Sequence, residues 1–258
     1  MKQAVVCVSF GTSVPAGREN ITAVENVLRR TARDRMFVSA LTSGVIRRTL
    51  RKQGETVYSV PEALEELRKR DITEVLLQPT HILWGHEYDK LRREAEPWRD
   101  KFESLNFGKP LLTDTEDLRA LAAALSGACP AGNGETLVLF GHGTDHAANL
   151  VYPALQTAFH LAGRRDVLVG TVEGWPAFED VLAQLRERSE KRVHLLPLML
   201  VAGDHALRDM AGEEPESWKS RLEAEGFAVR ATLRGLGLVP EVQALYRAHL
   251  EKALSDGA

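Results

Sequence analysis

The feature that most narrows what this chain can fold into is that its pattern is written twice. Short apolar runs, each ending in a loop of small residues and followed by residues at helical spacing, occur in one order in the first half and again in the second. In the first half the runs are Gln3–Ser9, Phe37–Leu41 and Glu74–Pro79, opening into Ser9-Phe10-Gly11-Thr12-Ser13, Thr42-Ser43-Gly44 and Thr80-His81-Ile82-Leu83-Trp84-Gly85. In the second they are Thr136–Phe140, Asp166–Thr171 and Val193–Leu200, opening into Gly141-His142-Gly143-Thr144, Val172-Glu173-Gly174 and Ala202-Gly203-Asp204-His205. Ser9–Thr12 lies over Gly141–Thr144, Thr42-Ser43-Gly44 over Thr171-Val172-Glu173, and Gly85 over Gly203. The tails also agree, GKPLLTDTEDLRALAAAL against RGLGLVPEVQALYRAHL.

Between the runs, helices are expected at Arg18–Asp34, Val45–Gln53, Pro61–Arg70, Glu87–Phe102, Asp114–Leu125, Ala147–Leu161 and Ala177–Ser189, with a short extended piece at Lys109–Leu112. Strands alternating with helices in this way predict parallel sheets covered on both faces. The expectation is therefore α/β: two similar doubly wound domains from an internal duplication, residues 1–128 and 129–258, joined through Ala131-Gly132-Asn133-Gly134 and facing one another across a cleft.

Composition narrows the function classes. At 258 residues and 44% hydrophobic content the chain can build a substantial core, and no apolar run nears the roughly 18 residues that span a bilayer. The start, MKQAVVCVSFGTS, reads as a first strand and not as a signal peptide, which makes the cytoplasm the default compartment. Cys7 and Cys129 form no CxxC pair and suit a reducing environment. A formal net charge of −3 offers no general attraction for nucleic acid or anionic membrane. A homo-oligomer is compatible with all of this.

In open α/β sheets, ligands sit at the carboxyl ends of strands. Three such ends in the second half present one metal ligand or proton acceptor each: His142 between two glycines, Glu173, and His205. None of the loops contains GxGxxG or GxxxxGK[ST], so dinucleotide and P-loop nucleotide binding have little support. The matching first-half positions are read as Phe10, Gly44 and Glu87, so only the later copy carries the His, Glu, His set.

FGHG in the middle of the chain, VE some thirty residues on, then LPLMLVAGDHA with DMA and SWK, together with VSFGTS, TSGVIRR and HILWGHEYDK in the first half, resemble the sirohydrochlorin cobaltochelatases of anaerobic cobalamin synthesis, class II chelatases. The resemblance spans nearly the whole chain in order. It implies two pseudo-symmetric α/β domains enclosing a tetrapyrrole, with the metal held by His142, Glu173 and His205. Two departures stand out: the His142-to-Glu173 spacing is one residue longer than in the family, and Trp175 is bulkier than the residue expected there.

Chelation gives those residue types a reason. Inserting a divalent ion into a tetrapyrrole requires holding it loosely, removing two pyrrole N–H protons and letting ring nitrogens replace protein ligands. Imidazole and carboxylate bind Co²⁺, Fe²⁺, Ni²⁺ and Zn²⁺ without the grip of several thiolates, and three protein ligands leave positions open for the substrate. Histidine can also take a proton near neutral pH. His142 is thus expected as ligand and base, His205 as ligand, and Glu173 as ligand or proton relay. Asp204 and Asp145 are candidates to orient the imidazoles, with helix N-capping as their alternative.

Sirohydrochlorin's eight carboxylates call for cations and hydroxyls, and Ser9, Thr12, Ser13, Arg47, Arg48 and His86 are the candidates. For the arginines the alternative is a solvated helix face. His81 is a further candidate for the wall, and His146 for backing His142; His160, His194 and His249 read as ordinary polar or core residues. No organic cofactor is expected. The rival readings are a chelatase of the same fold inserting Fe²⁺ for sirohaem or haem, and a tetrapyrrole or metal carrier without catalysis. A phosphatase-like hydrolase lacks the Arg-His-Gly signature, because Gly141 precedes His142.

Overall fold

The computed structural model describes residues 2–129, 132 and 134–256, with the side chain of Ala16 left out. Ala131 and Asn133 of the expected linker lie outside the described residues. The chain forms two compact units, Met1–Thr113 with Gln243–Ala258, and Asp114–Val242.

In the first unit, β1 (Gln3–Ser9), β2 (Met36–Leu41), β3 (Glu74–Pro79) and β4 (Ser104–Phe107) form a parallel sheet in the order β2-β1-β3-β4. Helices α1 (Pro15–Thr31), α2 (Gly44–Lys52), α3 (Val60–Lys69) and α4 (His86–Ala95) cover it. All but the first residue of β1 and of β3 is buried, as a strand covered on both faces must be. Val6, Val8, Leu64, Leu67, Leu77 and Leu91 form the core. Helix α3 starts where its sequence says: Ser59 accepts from the Glu62 amide, and Glu62 accepts from the Ser59 amide in a capping box.

The second unit repeats the plan. Helix α5 (Thr115–Ala128) leads into β5 (Glu135–Gly141), α6 (Val151–Leu161), β6 (Val167–Thr171), α7 (Phe178–Arg186), β7 (Arg192–Pro197), α8 (Trp218–Ala224) and β8 (Ala228–Ala231). Its sheet is also parallel, in the order β6-β5-β7-β8. Trp218 sits edge-on to Phe140 and Phe178, at 5.0 and 5.2 Å between ring centres, in the middle of the core. Helix α9 (Pro240–Asp256) begins in this unit and continues into the first.

The strand registers put the repeat on a residue-by-residue footing. Ser9 pairs with Leu41 and Val8 with Pro79, while Gly141 pairs with Thr171 and Phe140 with Pro197. The hydrogen bonds just past the strand ends match as well. Ser43 N donates to Phe10 O at 3.3 Å where Glu173 N donates to His142 O at 2.8 Å. The counterpart of Glu173 is therefore Ser43, one residue before the Gly44 expected from sequence.

Three other expectations change. The division falls at Thr113/Asp114 and not at 128/129, and the two tail helices are exchanged: α5 packs on α6, while Tyr246 of α9 is fully buried in the first unit and donates its hydroxyl to Thr80 O at 2.7 Å. The fourth strand of the first sheet is Ser104–Phe107, and Lys109–Leu112 instead runs beside the loop after β3, with Leu111 N and Leu112 N bonded to His81 O and Ile82 O. Helices α8 and strand β8 had no counterpart in the sequence reading. No described helix is long and apolar enough to cross a membrane.

Candidate metal centre

Each of the three residues singled out in the second half is delivered by the end of a strand, and the loops that carry them are tied together. Past β5, the added carbon of any side chain at Gly141 would run into the Tyr152 ring. The Tyr152 hydroxyl accepts from Gly143 N at 3.2 Å. Burial pushes this phenol up, against the pull of the His142 and Gly143 amides, so it stays protonated. The ladder between β5 and β6 continues beyond the strands, since Val172 N donates to Gly141 O and Glu173 N to His142 O.

Two glycines let the loops close on each other. Gly143 has φ +84°, and a Cβ there would lie 2.8 Å from both the Glu173 carbonyl carbon and Gly174 Cα. Asn149 then clamps both loops, accepting from Thr144 N at 3.1 Å and donating to Trp175 O at 2.6 Å. Behind Glu173 the loop is shut by Thr171, whose amide and hydroxyl both donate to Pro176 O, at 2.7 and 3.0 Å.

His205 arrives differently. After β7 the chain makes a π-helical turn over Ala206–Met210, anchored by the buried side chains of Ala206 and Met210. His205 stands at its start, and Asp209 lies one turn on, with Oδ2 2.6 Å from His205 Nδ1.

The ligand atoms of His142, Glu173 and His205 all lie within 4.8 Å of one another. The imidazoles are perpendicular, with centres 4.7 Å apart, and His142 Nδ1 is 3.7 Å from Glu173 Oε2. Ligand atoms at roughly 2.0–2.2 Å from one ion can be at most about 4.4 Å apart, so shifts of under about 1 Å close the set around a metal. Among the described residues no other group of three His, Cys, Asp or Glu side chains comes as close.

Hydrogen bonding also selects the nitrogens. His142 Nδ1 lies 2.9 Å from Gly143 O, and a carbonyl only accepts, so Nδ1 carries the hydrogen. The Asp209 carboxylate imposes the same on His205. In both rings Nε2 is left with its lone pair, the arrangement of a metal-ligating histidine whose other nitrogen is held by protein. The side chains remain accessible, 46% for His142, 56% for Glu173 and 37% for His205.

The remaining candidates fall into place one by one. At His205 Nδ1 the carboxylate partner is Asp209, not the adjacent Asp204. His146 Nδ1 accepts from Ala148 N at 3.0 Å and caps the short 3₁₀ turn Ala147–Leu150. In the first unit Ser9 is fully buried, its hydroxyl accepting from Thr80 Oγ1 at 2.8 Å. Thr12 Oγ1 accepts from Val14 N at 3.2 Å, and the Arg47 guanidinium donates to Leu41 O. Ser13 is half-buried, whereas Arg48 and His86 are exposed. His81 has both ring nitrogens buried without a hydrogen-bond partner, and burial, helped by Lys90, pushes it down to about 4. Asp209 is the one site residue that sequence reasoning missed; its signal was the four-residue spacing from His205.

Comparison with known proteins places the chain. The family model for the cobalt chelatase CbiK matches residues 3–255. The chain belongs to this cobalt chelatase family. Within it, the sirohydrochlorin cobaltochelatase of Salmonella typhimurium is 39% identical over 258 residues, 99% of this chain and 97% of that one. The sirohydrochlorin cobaltochelatase CbiKC of Nitratidesulfovibrio vulgaris is 35% identical over 260 residues, 98% of this chain and 91% of its relative. The chelatase architecture extends further. SirB from Bacillus subtilis, solved with Fe³⁺, shares the fold at a TM-score of 0.71 and 17% identity, covering 100% of this chain and 98% of SirB.

Proposed function

We propose that this cobalt chelatase family member inserts Co²⁺ into sirohydrochlorin. The observation that carries the reading is the convergence of His142, Glu173 and His205 at three adjacent strand ends, their ligand atoms within 4.8 Å of one another, in a chain of this family. Two imidazole nitrogens and a carboxylate hold the incoming divalent ion and leave coordination positions open to the macrocycle. Pyrrole nitrogens then displace the protein ligands one at a time. The reaction releases two protons for each ion inserted and needs no ATP; His142 is the first acceptor, and Glu173, 3.7 Å from its ring, relays the proton outward. Fe²⁺, Ni²⁺ and Zn²⁺ fit the same donors. Thr12, Ser13, Arg47, Arg48 and His86 are assigned to the substrate's carboxylates, Ser9 to the support of its loop. The test is anaerobic incubation with sirohydrochlorin and Co²⁺, Fe²⁺ or Ni²⁺ in turn, followed by absorbance. Metallation with Co²⁺ above the uncatalysed rate is expected; none with any ion would reject the reading.

A further inference from the structure

We infer that Asp209 is the positioning residue that makes His205 the anchoring ligand of the metal, leaving His142 as the ligand that yields first; the inference rests on the metal-binding reading above. The two histidines look alike in sequence but are held differently. His142 Nδ1 donates to the Gly143 carbonyl, a neutral acceptor on its own loop, at 2.9 Å, with the Glu173 carboxylate farther off at 3.7 Å. His205 Nδ1 donates to the Asp209 carboxylate at 2.6 Å, a short charge-assisted bond. A carboxylate behind an imidazole fixes its orientation and makes Nε2 the stronger donor, and removing such a partner typically weakens metal affinity about 10–100-fold.

The fold supports this difference. His205 and Asp209 bracket one π-helical turn whose Ala206 and Met210 are buried, so the two polar side chains share the outer face of a fixed piece of backbone. Asp209 is 44% exposed and lies outside the buried core of this unit. Holding one ligand firmly and the other weakly suits an ion that must be captured and then handed over, because the weakly held ring is replaced while the firm one keeps the ion in place.

The test has two parts. Long-range ¹H–¹⁵N correlation of the imidazoles in the metal-free protein reads the tautomer: the parent is expected to show His205 protonated on Nδ1, and Asp209→Ala a mixture. An unchanged tautomer would overturn the inference whatever the metal does. Co²⁺ titration, followed in the visible d–d bands, then compares Asp209→Ala and Asp209→Asn alone, and Asp209→Ala combined with His142→Ala or with His205→Ala. Asp209→Ala should weaken Co²⁺ binding 10–100-fold, Asp209→Asn less. The loss should persist beside His142→Ala and vanish beside His205→Ala, since Asp209 acts only through that ring. Equal losses in both backgrounds would mark Asp209 as merely structural and refute the proposal. A parent that binds no Co²⁺ would instead refute the proposed function, leaving the tautomer to judge Asp209.

Discussion

Replacing Gly143 by alanine tests whether the contact between the His142 and Glu173 loops sets the site. Alanine at a left-handed φ costs roughly 1–2 kcal/mol, partly offset by about 0.4–1 kcal/mol from a stiffer unfolded chain. Gly163, also at φ +84° but with nothing within 4 Å of an added Cβ, isolates that term, and Gly163→Ala should destabilise by about 1 kcal/mol. At Gly143 the new carbon meets backbone on the opposite loop, 2.8 Å from the Glu173 carbonyl carbon and from Gly174 Cα, and backbone cannot swing aside as a side chain can. Overpacking of this kind adds about 1–3 kcal/mol, so Gly143→Ala should lose about 2–4 kcal/mol in urea unfolding. The loops must part to admit the methyl group, so Co²⁺ affinity should fall at least tenfold, while Gly163→Ala leaves it unchanged. If Gly143→Ala stays within about 0.5 kcal/mol of Gly163→Ala and binds Co²⁺ like the parent, the loop contact does not set the site.

Three further outcomes are expected. His205→Ala should abolish metallation and cost no more than about 1 kcal/mol, because the partly exposed ring meets the accessible groups His142 and Asp209; parental turnover would exclude it as a ligand. His81 is neutral in the fold down to about 4 but titrates near 6.5 in the unfolded chain, so the unfolded state binds more protons in between and stability drops as pH falls from about 6.5 to about 4, by about 3 kcal/mol in all. His81→Leu should remove that part of the pH dependence, and identical curves for parent and variant would show the histidine is not held neutral. Trp175, 53% exposed two residues past Glu173, offers a flat apolar face, and Trp175→Ala should raise KM for sirohydrochlorin about tenfold with Co²⁺ affinity unchanged. A shift in Co²⁺ affinity alone would instead tie the indole to the Glu173 loop.

Sequence reasoning located the features governed by periodicity and missed those governed by contacts across the sheet. The long buried strands Gln3–Ser9 and Glu74–Pro79 were legible because both faces are covered and the run is continuously apolar. Strands β4 and β8, four residues each at sheet edges, have one exposed flank and no such run: in Ala228–Ala231 no residue is fully buried. That His142, Glu173 and His205 would come together was legible because each lies just past an apolar run. Equating Gly44 with Glu173 failed by one residue, since only the pairing of Gly141 with Thr171 and of Ser9 with Leu41 fixes where each loop begins. Asp204 looked like the partner of His205 because it is adjacent in sequence, yet neighbours along a helical turn point apart and residues four apart meet.

The exchanged tail helices bear on the order in which the chain can mature as it is made. Residues 114–242 make up the second unit, so it can close before the rest of α9 is made. The first unit, although its sheet comes earlier in the chain, is not finished until α9 follows, because Tyr246 fills its place against Thr80. The usual sequence, in which the N-terminal domain folds first on the ribosome, is expected to be reversed for these two units. A chain stopped after Val242 should protect its amides in 114–242 and leave 2–113 open to exchange, so the half bearing His142, Glu173 and His205 is complete while the half made first still lacks α9.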